Sequence, residues 1–135
     1  MTRALLPFLL ASLTLTGCFV ESDPDPVVVT RGNGLLTVTW TVDGTDDPAV
    51  CAFEGVDTVD ILVERSNGGL AAHVSDVCEA FVTSVELRPG SYFADALLMD
   101  AGGHPMTTAA DLGYFDIYGG DELVLDVDFP SSSFY

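Results

Sequence analysis

The sequence predicts an all-β protein whose folded part is a single antiparallel β-sandwich of seven to eight short strands. Apolar and polar residues alternate along most of the chain beyond residue 33, as they do in strands that bury one face. Glycine-containing turns separate these stretches at the spacing of hairpins. Aspartate, which favours turns over helix interiors, supplies 15 of the 21 acidic residues.

The first predicted strands lie in the N-terminal half of this folded part. In residues 36–42, apolar side chains alternate with threonine, and both residue types are strand formers. Residues 59–63 repeat the alternation. The Asn-Gly-Gly sequence at residues 67–69 then leads into residues 70–74, which predicts a hairpin. Residues 76–81 are the one segment that suits a helical turn.

The C-terminal half continues the same pattern. Turns are predicted at the Pro-Gly of residues 88–90, at residues 100–103 and at the glycine pair 119–120. In the last strand the alternation predicts that Asp126 and Asp128 face outward. The strands predicted here cover residues 81–87, 91–99, 106–109, 114–118 and 123–129.

Residues 1–17 have the layout of a secretory signal, with a charge at Arg3, an apolar run over residues 4–15 and small residues before a cleavage point. The run is shorter than the about 20 residues that a transmembrane helix needs. The sequence Leu15-Thr16-Gly17-Cys18 resembles the lipobox of bacterial lipoproteins. The resemblance implies cleavage before Cys18 and acylation of both its sulfur and its new amino group. The alternative is an ordinary secretory signal with a cysteine near the cleavage point by chance.

The domain organisation follows from this interpretation. We expect a cleaved signal peptide at residues 1–17, a lipidated, acidic and proline-rich tether at residues 18–33, and the β-sandwich at residues 34–135. The membrane would then be a partner through the lipid on Cys18, and the protein would lie in the cell envelope. In the sorting rule known for enteric bacteria, aspartate after the cysteine retains a lipoprotein in the inner membrane. By resemblance, Phe19 favours the outer membrane in a cell that has one, with the side of the membrane left open.

The net charge restricts the partners. The formal charge of the chain is −17, and cleavage after Gly17 would remove Arg3 and leave −18 on the mature protein. Arg31, Arg65 and Arg88 would be its only arginines, and it has no lysine. We therefore expect no nucleic acid partner, since phosphate backbones are repelled. The field favours cationic partners, and the alternative is that the acids only solvate the surface.

The cysteines predict a disulfide. With Cys18 assigned to lipid by resemblance, Cys51 and Cys78 remain in an exported, oxidising compartment and are expected to pair. Such a bond would stabilise the fold by about 3.5 kcal/mol in the chain-entropy account. The alternative, two metal-binding thiolates, lacks a Cys-x-x-Cys motif and nearby histidines, since His73 and His104 are isolated.

A second resemblance concerns residues 85–103. The sequence Val-Glu-Leu-Arg-Pro-Gly-Ser-Tyr, followed by Leu-Met-Asp-Ala-Gly-Gly, is similar to a run found in transthyretin-like sandwiches, a group that includes carboxypeptidase regulatory-like modules. The resemblance implies an immunoglobulin-like or prealbumin-like sandwich in which Tyr92 fills a corner between the sheets. It also implies a module that binds, spaces or stiffens rather than catalyses. The pair Cys51 and Cys78 is not part of that family pattern.

The best metal candidate is an Asp-Gly-Thr-Asp-Asp loop, in which Asp43, Asp46 and Asp47 surround a glycine turn and offer oxygen ligands to calcium. The loop lacks the full Asp-x-Asp-x-Asp-Gly pattern and its closing glutamate. The alternative is a solvated loop whose aspartates cap turns. The carboxylates of Asp126 and Asp128 are weaker candidates, and no other cofactor is expected.

Catalysis is not expected. His73 is interpreted as a strand surface residue and His104 as a turn residue, because neither lies in a Gly-x-Ser-x-Gly or His-Glu-x-x-His motif. Trp40 alternates with Val38 and Val42, which predicts a core position rather than an exposed site for stacking on a sugar.

These interpretations predict a membrane-anchored, non-catalytic binding or structural module with a protein or glycan partner in the envelope. Two alternatives stay open. A calcium-dependent adhesive or carbohydrate-binding module would use the aspartate loop. A small envelope hydrolase would need a cleft with perturbed carboxylates.

Overall fold

The fold is an all-β sandwich, as the sequence predicts. The computed structural model describes residues 29–135, so the predicted signal peptide and Cys18 lie outside the described residues. The elements in chain order are β1 (Gly34–Val42), α1 (Pro48–Glu54), β2 (Thr58–Arg65), β3 (Leu70–Val77), β4 (Val82–Leu87), β5 (Gly90–Met99), β6 (Ala110–Ile117) and β7 (Glu122–Phe129). In this part of the chain, no helix is long and apolar enough to cross a membrane.

The strands form two sheets. One has three strands in the order β4-β1-β7, and the other has four strands in the order β3-β2-β5-β6. All neighbours are antiparallel except β1 and β7, which run parallel from Leu35 opposite Glu122 to Val42 opposite Phe129. The first strand of the sandwich therefore lies between the fourth and the last.

The core lies between the inward faces of the sheets and follows the predicted alternation. Trp40 is 2% exposed, which confirms its predicted core position, and its indole Nε1 donates a hydrogen bond to the Cys78 carbonyl at 2.9 Å. The fully or nearly fully buried side chains include Leu36, Val38, Val42, Val59, Ile61, Val63, Ala96, Leu98 and Phe129. Burial of a valine, leucine, isoleucine or phenylalanine side chain contributes about 1.5–3 kcal/mol relative to exposure.

Helix α1 was not predicted from the sequence, although its end signals are present. Asp47 is the N-cap and accepts a hydrogen bond from the Ala49 amide at 3.0 Å, and proline follows at the first helical position. Gly55 ends the helix in the left-handed conformation, with φ of 74°. The helix has seven residues and buries only Cys51, so it has no apolar stripe that would mark it by periodicity.

The predicted strand at residues 106–109 is wrong. Two isolated bridges, between Met99 and Pro105 and between Thr107 and Phe134, replace it, and β6 begins at Ala110. The reason lies in Thr107, whose buried hydroxyl accepts a hydrogen bond from the Leu98 amide at 3.2 Å. The Thr107 hydroxyl therefore replaces the backbone carbonyl that would accept this bond from Leu98 in a regular pair of strands. The helical turn predicted at residues 76–81 is confirmed as a 3-10 turn at Cys78–Ala80.

Tyr92, which the transthyretin-like resemblance places in a corner between the sheets, is buried near the start of β5. It is 4% exposed, stacks on Phe115 with ring centroids 5.9 Å apart, and donates a hydrogen bond from its hydroxyl to the Arg88 carbonyl at 2.6 Å. The contact joins the body of β5 to the turn that precedes it.

A disulfide joins Cys51 and Cys78, as predicted, with the sulfur atoms 2.04 Å apart. The bond connects α1 to the 3-10 turn that follows β3, and both cysteines are buried. It therefore fixes the β1–β2 connection to the β3–β4 connection at one end of the sandwich.

Contacts of the domain begin before the predicted boundary at residue 34. The Glu86 carboxylate accepts hydrogen bonds from the Thr30 amide at 2.8 Å and from the Asn33 side-chain amide at 2.6 Å. Position 34 requires glycine because the backbone of Tyr118 lies close to it: a Cβ there would lie 2.5 Å from the Tyr118 carbonyl oxygen. Residues 30–33 therefore pack on the sandwich.

Candidate functional site

The outer face of the three-stranded sheet carries a row of threonine–carboxylate pairs. The hydroxyl of Thr41 in β1 donates to Asp128 in β7 at 2.7 Å, and Thr39 donates in the same way to Asp126. Thr37 donates to Glu122 at 2.8 Å. The parallel register places Thr39 opposite Asp126 and Thr41 opposite Asp128. The outward position predicted for the two aspartates is confirmed, whereas their threonine partners depend on a strand pairing that the sequence did not reveal.

A groove of about 580 Å³ opens at the C-terminal end of this row. β4 pairs with β1 only as far as Thr39, whereas β7 pairs with β1 as far as Val42. The end of β1 is therefore without a strand partner on the β4 side alone. Phe81 and Asp46 border the gap instead. We call this concavity the acidic groove; its lining residues are Thr39, Trp40, Thr41, Asp46, Phe81, Asp126, Val127 and Asp128.

The acidic groove offers hydrogen-bond acceptors next to an aromatic ring. The carboxylates of Asp46, Asp126 and Asp128 offer acceptor oxygens, and Phe81 packs on Trp40 with ring centroids 6.4 Å apart. A ligand rich in hydroxyl or ammonium donors would satisfy these oxygens. Sequence reasoning placed Asp46 in a calcium loop and did not associate it with β7.

The structure does not gather Asp43, Asp46 and Asp47 into a metal-binding group. Asp47 caps α1, and the Asp43 carboxylate accepts a hydrogen bond from the Ser131 amide at 3.3 Å. Among residues 29–135, no group of three or more histidine, cysteine, aspartate or glutamate side chains is arranged to hold a metal ion. The contacts match the capping alternative, and calcium binding stays a prediction without a site in the described residues.

The histidines each bond to one aspartate on the surface. His73 lies in β3 with its Nε2 at 2.9 Å from Asp60, and Ser75 donates its hydroxyl to the same carboxylate at 2.8 Å. In a catalytic triad the histidine stands between serine and aspartate, whereas here Asp60 stands between the other two. This order holds the side chains in place and does not activate Ser75.

His104 lies after the β5 turn beside Asp100. The Asp100 carboxylate accepts hydrogen bonds from the backbone amides of His104, at 2.8 Å, and Gly102, at 2.9 Å. These bonds, with the His104 amide first, lower the pKa of Asp100 below its ordinary value of 3.8. The pair therefore closes a turn, as the sequence-based interpretation of His104 proposed.

The outer face of the four-stranded sheet displays an aromatic pair that sequence reasoning missed. Phe93 in β5 lies opposite Tyr114 in β6, with ring centroids 5.5 Å apart, and Tyr114 is 80% exposed. Glu64 in β2 lies opposite Phe93 on its other side. The alternation contained the signal, because placing Tyr92 and Ala94 inward leaves Phe93 outward.

No family model matches the chain, and no curated protein matches it. It is similar to a solved structure described as "putative polysaccharide binding proteins" of Bacteroides thetaiotaomicron, with 16% identity and a TM-score of 0.44. The similarity covers 68% of this chain and 46% of that one, so the chain spans less than half of that protein's length.

Proposed function

We propose that this protein is a lipid-anchored binding module of the cell envelope, which holds a partner on its surface without catalysing a reaction. The observation that carries the proposal is the sequence Leu15-Thr16-Gly17-Cys18, followed by a folded sandwich. By resemblance to the lipobox, Cys18 would carry three acyl chains. One chain binds a membrane only marginally, whereas several chains give a lasting anchor, because each buried methylene contributes about 0.8 kcal/mol.

The buried disulfide supports an exported location. Cys51 and Cys78 form a disulfide. Disulfides form and persist in oxidising compartments and are rare in reducing ones. The two cysteines lie in the β1–β2 and β3–β4 connections, which the bond joins covalently. An envelope protein exposed to an oxidising medium would benefit from such a bond.

The proposed tether fits a module held away from its anchor. The described residues begin at Val29, and the Thr30 amide already donates to Glu86 of the sandwich, so the proposed tether would comprise residues 19–28. A proline-rich segment of that length would span roughly 30 Å if extended, at about 3 Å per residue. Phe19 favours the outer membrane by the sorting rule.

The acidic groove favours a glycan as a second, more specific candidate for the partner. Carboxylates and threonine hydroxyls beside the ring of Phe81 combine the polar and apolar contacts that sugars use. We expect an Asp46→Asn variant to lose binding to envelope polysaccharide in affinity electrophoresis. An Asp121→Asn variant removes one charge outside the acidic groove and should retain binding. Equal binding by both variants and the unchanged protein would rule the groove out as the glycan site.

The anchor is tested by detergent phase partitioning. The Cys18→Ser variant should move from the detergent phase to the aqueous phase, because no residue is left to accept the lipid. Phe19→Asp is the matched control: it retains Cys18, so it should stay in the detergent phase and shift to inner-membrane fractions. If Cys18→Ser partitions like the unchanged protein, or if the mature N-terminus carries no acyl group in mass spectrometry, the proposal fails.

A further inference from the structure

The aromatic pair on the four-stranded sheet forms a row across three strands. Glu64 in β2, Phe93 in β5 and Tyr114 in β6 lie side by side in register, and all three point away from the core. Asp95 lies two residues along β5 from Phe93, on the same face. We call these four residues the aromatic face. The ring of Tyr114 is 80% exposed, so most of its surface is accessible to a partner.

The carboxylates of the aromatic face are available for a partner. None of the ion pairs formed within residues 29–135 involves Glu64 or Asp95. Arg65 follows Glu64 in the chain, but its guanidinium Nη1 lies 3.4 Å from the Leu70 carbonyl and lines a separate surface concavity with Arg88. The face therefore combines the exposed ring of Tyr114 and the half-buried ring of Phe93 with negative charges that no arginine among residues 29–135 pairs with.

We propose that the aromatic face is a docking site for the arginine or lysine side chains of a basic partner segment. A cation over the face of an aromatic ring is attracted by the ring quadrupole, and a guanidinium also stacks on it. Glu64, opposite Phe93 in β2, and Asp95, two residues along β5, would then pair with cationic groups of the same segment. Tyrosine and arginine are the residues that most often dominate protein interfaces.

Charge complementarity identifies this occupant and argues against others. A second copy of the chain would bring a formal charge of −17 or lower against the same sign. Residues 19–28 of the chain contain three acids and no basic residue, so the tether does not complement the face either. A basic segment, by contrast, would be attracted over a distance by the whole field of the protein.

This inference rests on the proposed binding role and is independent of the lipid on Cys18. It is tested with the full-length protein in detergent micelles, titrated with hexa-arginine in a calorimeter. The Tyr114→Ala variant should bind the peptide about fivefold more weakly, because it removes the exposed ring. Tyr114→Phe keeps the ring and should bind like the unchanged protein. Tyr135→Ala removes an equally exposed aromatic side chain elsewhere and is the matched control.

A pair of double variants separates specific pairing from the general field. Glu64→Gln/Asp95→Asn should weaken hexa-arginine binding more than Glu79→Gln/Asp121→Asn, which removes the same two charges outside the aromatic face. Equal weakening by the two doubles, or by Tyr114→Ala and Tyr135→Ala, would mean that the peptide responds only to net charge and would overturn the inference. Maltohexaose that binds and is lost in Tyr114→Ala, with hexa-arginine binding unaffected, would overturn it in favour of a glycan.

Failure here is distinguishable from failure of the proposed function. Phase partitioning of Cys18→Ser reports on the anchor alone, because Cys18 lies outside the described sandwich. Peptide titration reports on the aromatic face alone, since the variants leave the lipobox unchanged.

Discussion

At the scale of single residues, Tyr92 connects a sequence motif to the geometry of the sandwich. Its ring is buried against Phe115, and its hydroxyl reaches the Arg88 carbonyl four residues earlier in the chain. The resemblance to transthyretin-like sandwiches anticipated this corner because the Pro-Gly turn and the tyrosine lie at fixed offsets. The contact therefore holds the entry to β5 in place.

Tyr92→Phe should destabilise the protein by about 1–2 kcal/mol, because the Arg88 carbonyl loses its hydrogen-bond donor while the ring still packs. The free energy of unfolding in urea measures the effect. Tyr114→Phe removes the hydroxyl of an exposed ring and should change stability by less than about 0.5 kcal/mol. Equal stability of the two variants would show that the corner hydrogen bond is energetically silent.

Glu86 links the first described residues to the sandwich and makes this link sensitive to acid. The Asn33 side-chain bond, followed by the bonds from Thr30, lowers the pKa of Glu86 below its ordinary value of 4.5. A lowered pKa in the folded state stabilises the fold at pH values above 4.5, and this contribution disappears as pH falls through the folded value.

Glu86→Gln should therefore flatten the dependence of stability on pH in the range below 4.5. Urea denaturation at a series of acidic pH values measures that slope. Within residues 29–135, Glu79 accepts no hydrogen bonds of this kind. Glu79→Gln should therefore leave the slope unchanged. A Glu86→Gln slope equal to that of the unchanged protein would contradict the expectation.

At the scale of elements, the period-two pattern located most strands, and the two errors have a physical cause. Helix α1 is defined by its caps rather than by an apolar face, so a search for periodicity did not find it. Residues 106–109 contain strand formers, but Thr107 uses its side chain for the bond that a strand would make with its backbone. The acidic groove was not predicted because it requires knowing which strand lies beside β1.

The N-cap of α1 gives a direct test of this element. Asp47→Ala should cost about 1 kcal/mol, because the Ala49 amide loses its acceptor at the start of the helix. Asp46→Ala alters the preceding residue, which caps nothing, and should have less than half that effect on the denaturation midpoint. If Asp46→Ala is as destabilising as Asp47→Ala, the cap is not the source of the loss.

At the scale of the whole molecule, the sequence predicted the architecture but not the order of the strands. Alternation shows which face of a strand is buried, yet it carries no information about which strand pairs with which. The pairing of β1 with β7 joins residues 87 positions apart, and the acidic groove depends on this distant pairing. The outward positions of Phe93 and Tyr114 could have been predicted, since the two residues lie in the strands predicted at residues 91–99 and 114–118.

The disulfide acts on the whole fold and is tested at that scale. Replacing both cysteines in Cys51→Ser/Cys78→Ser should lower the free energy of unfolding by about 3.5 kcal/mol, because the unfolded chain regains the conformational entropy that the disulfide-closed loop removes. Adding reductant to the unchanged protein should lower its stability by a similar amount and leave that of the double variant unaltered. Insensitivity of the unchanged protein to reductant would count against the bond.

The central position of β1 has a consequence for how the protein reaches its native state. A chain that emerges N-terminus first during synthesis delivers β1 before either neighbour, and the second edge of β1 stays uncovered until β7 arrives. Pairing of segments so far apart in sequence is slow, because a long loop must close first. The newly made polypeptide thus passes through an interval with an open strand edge prone to aggregation, and loss of the final strand would make that interval permanent.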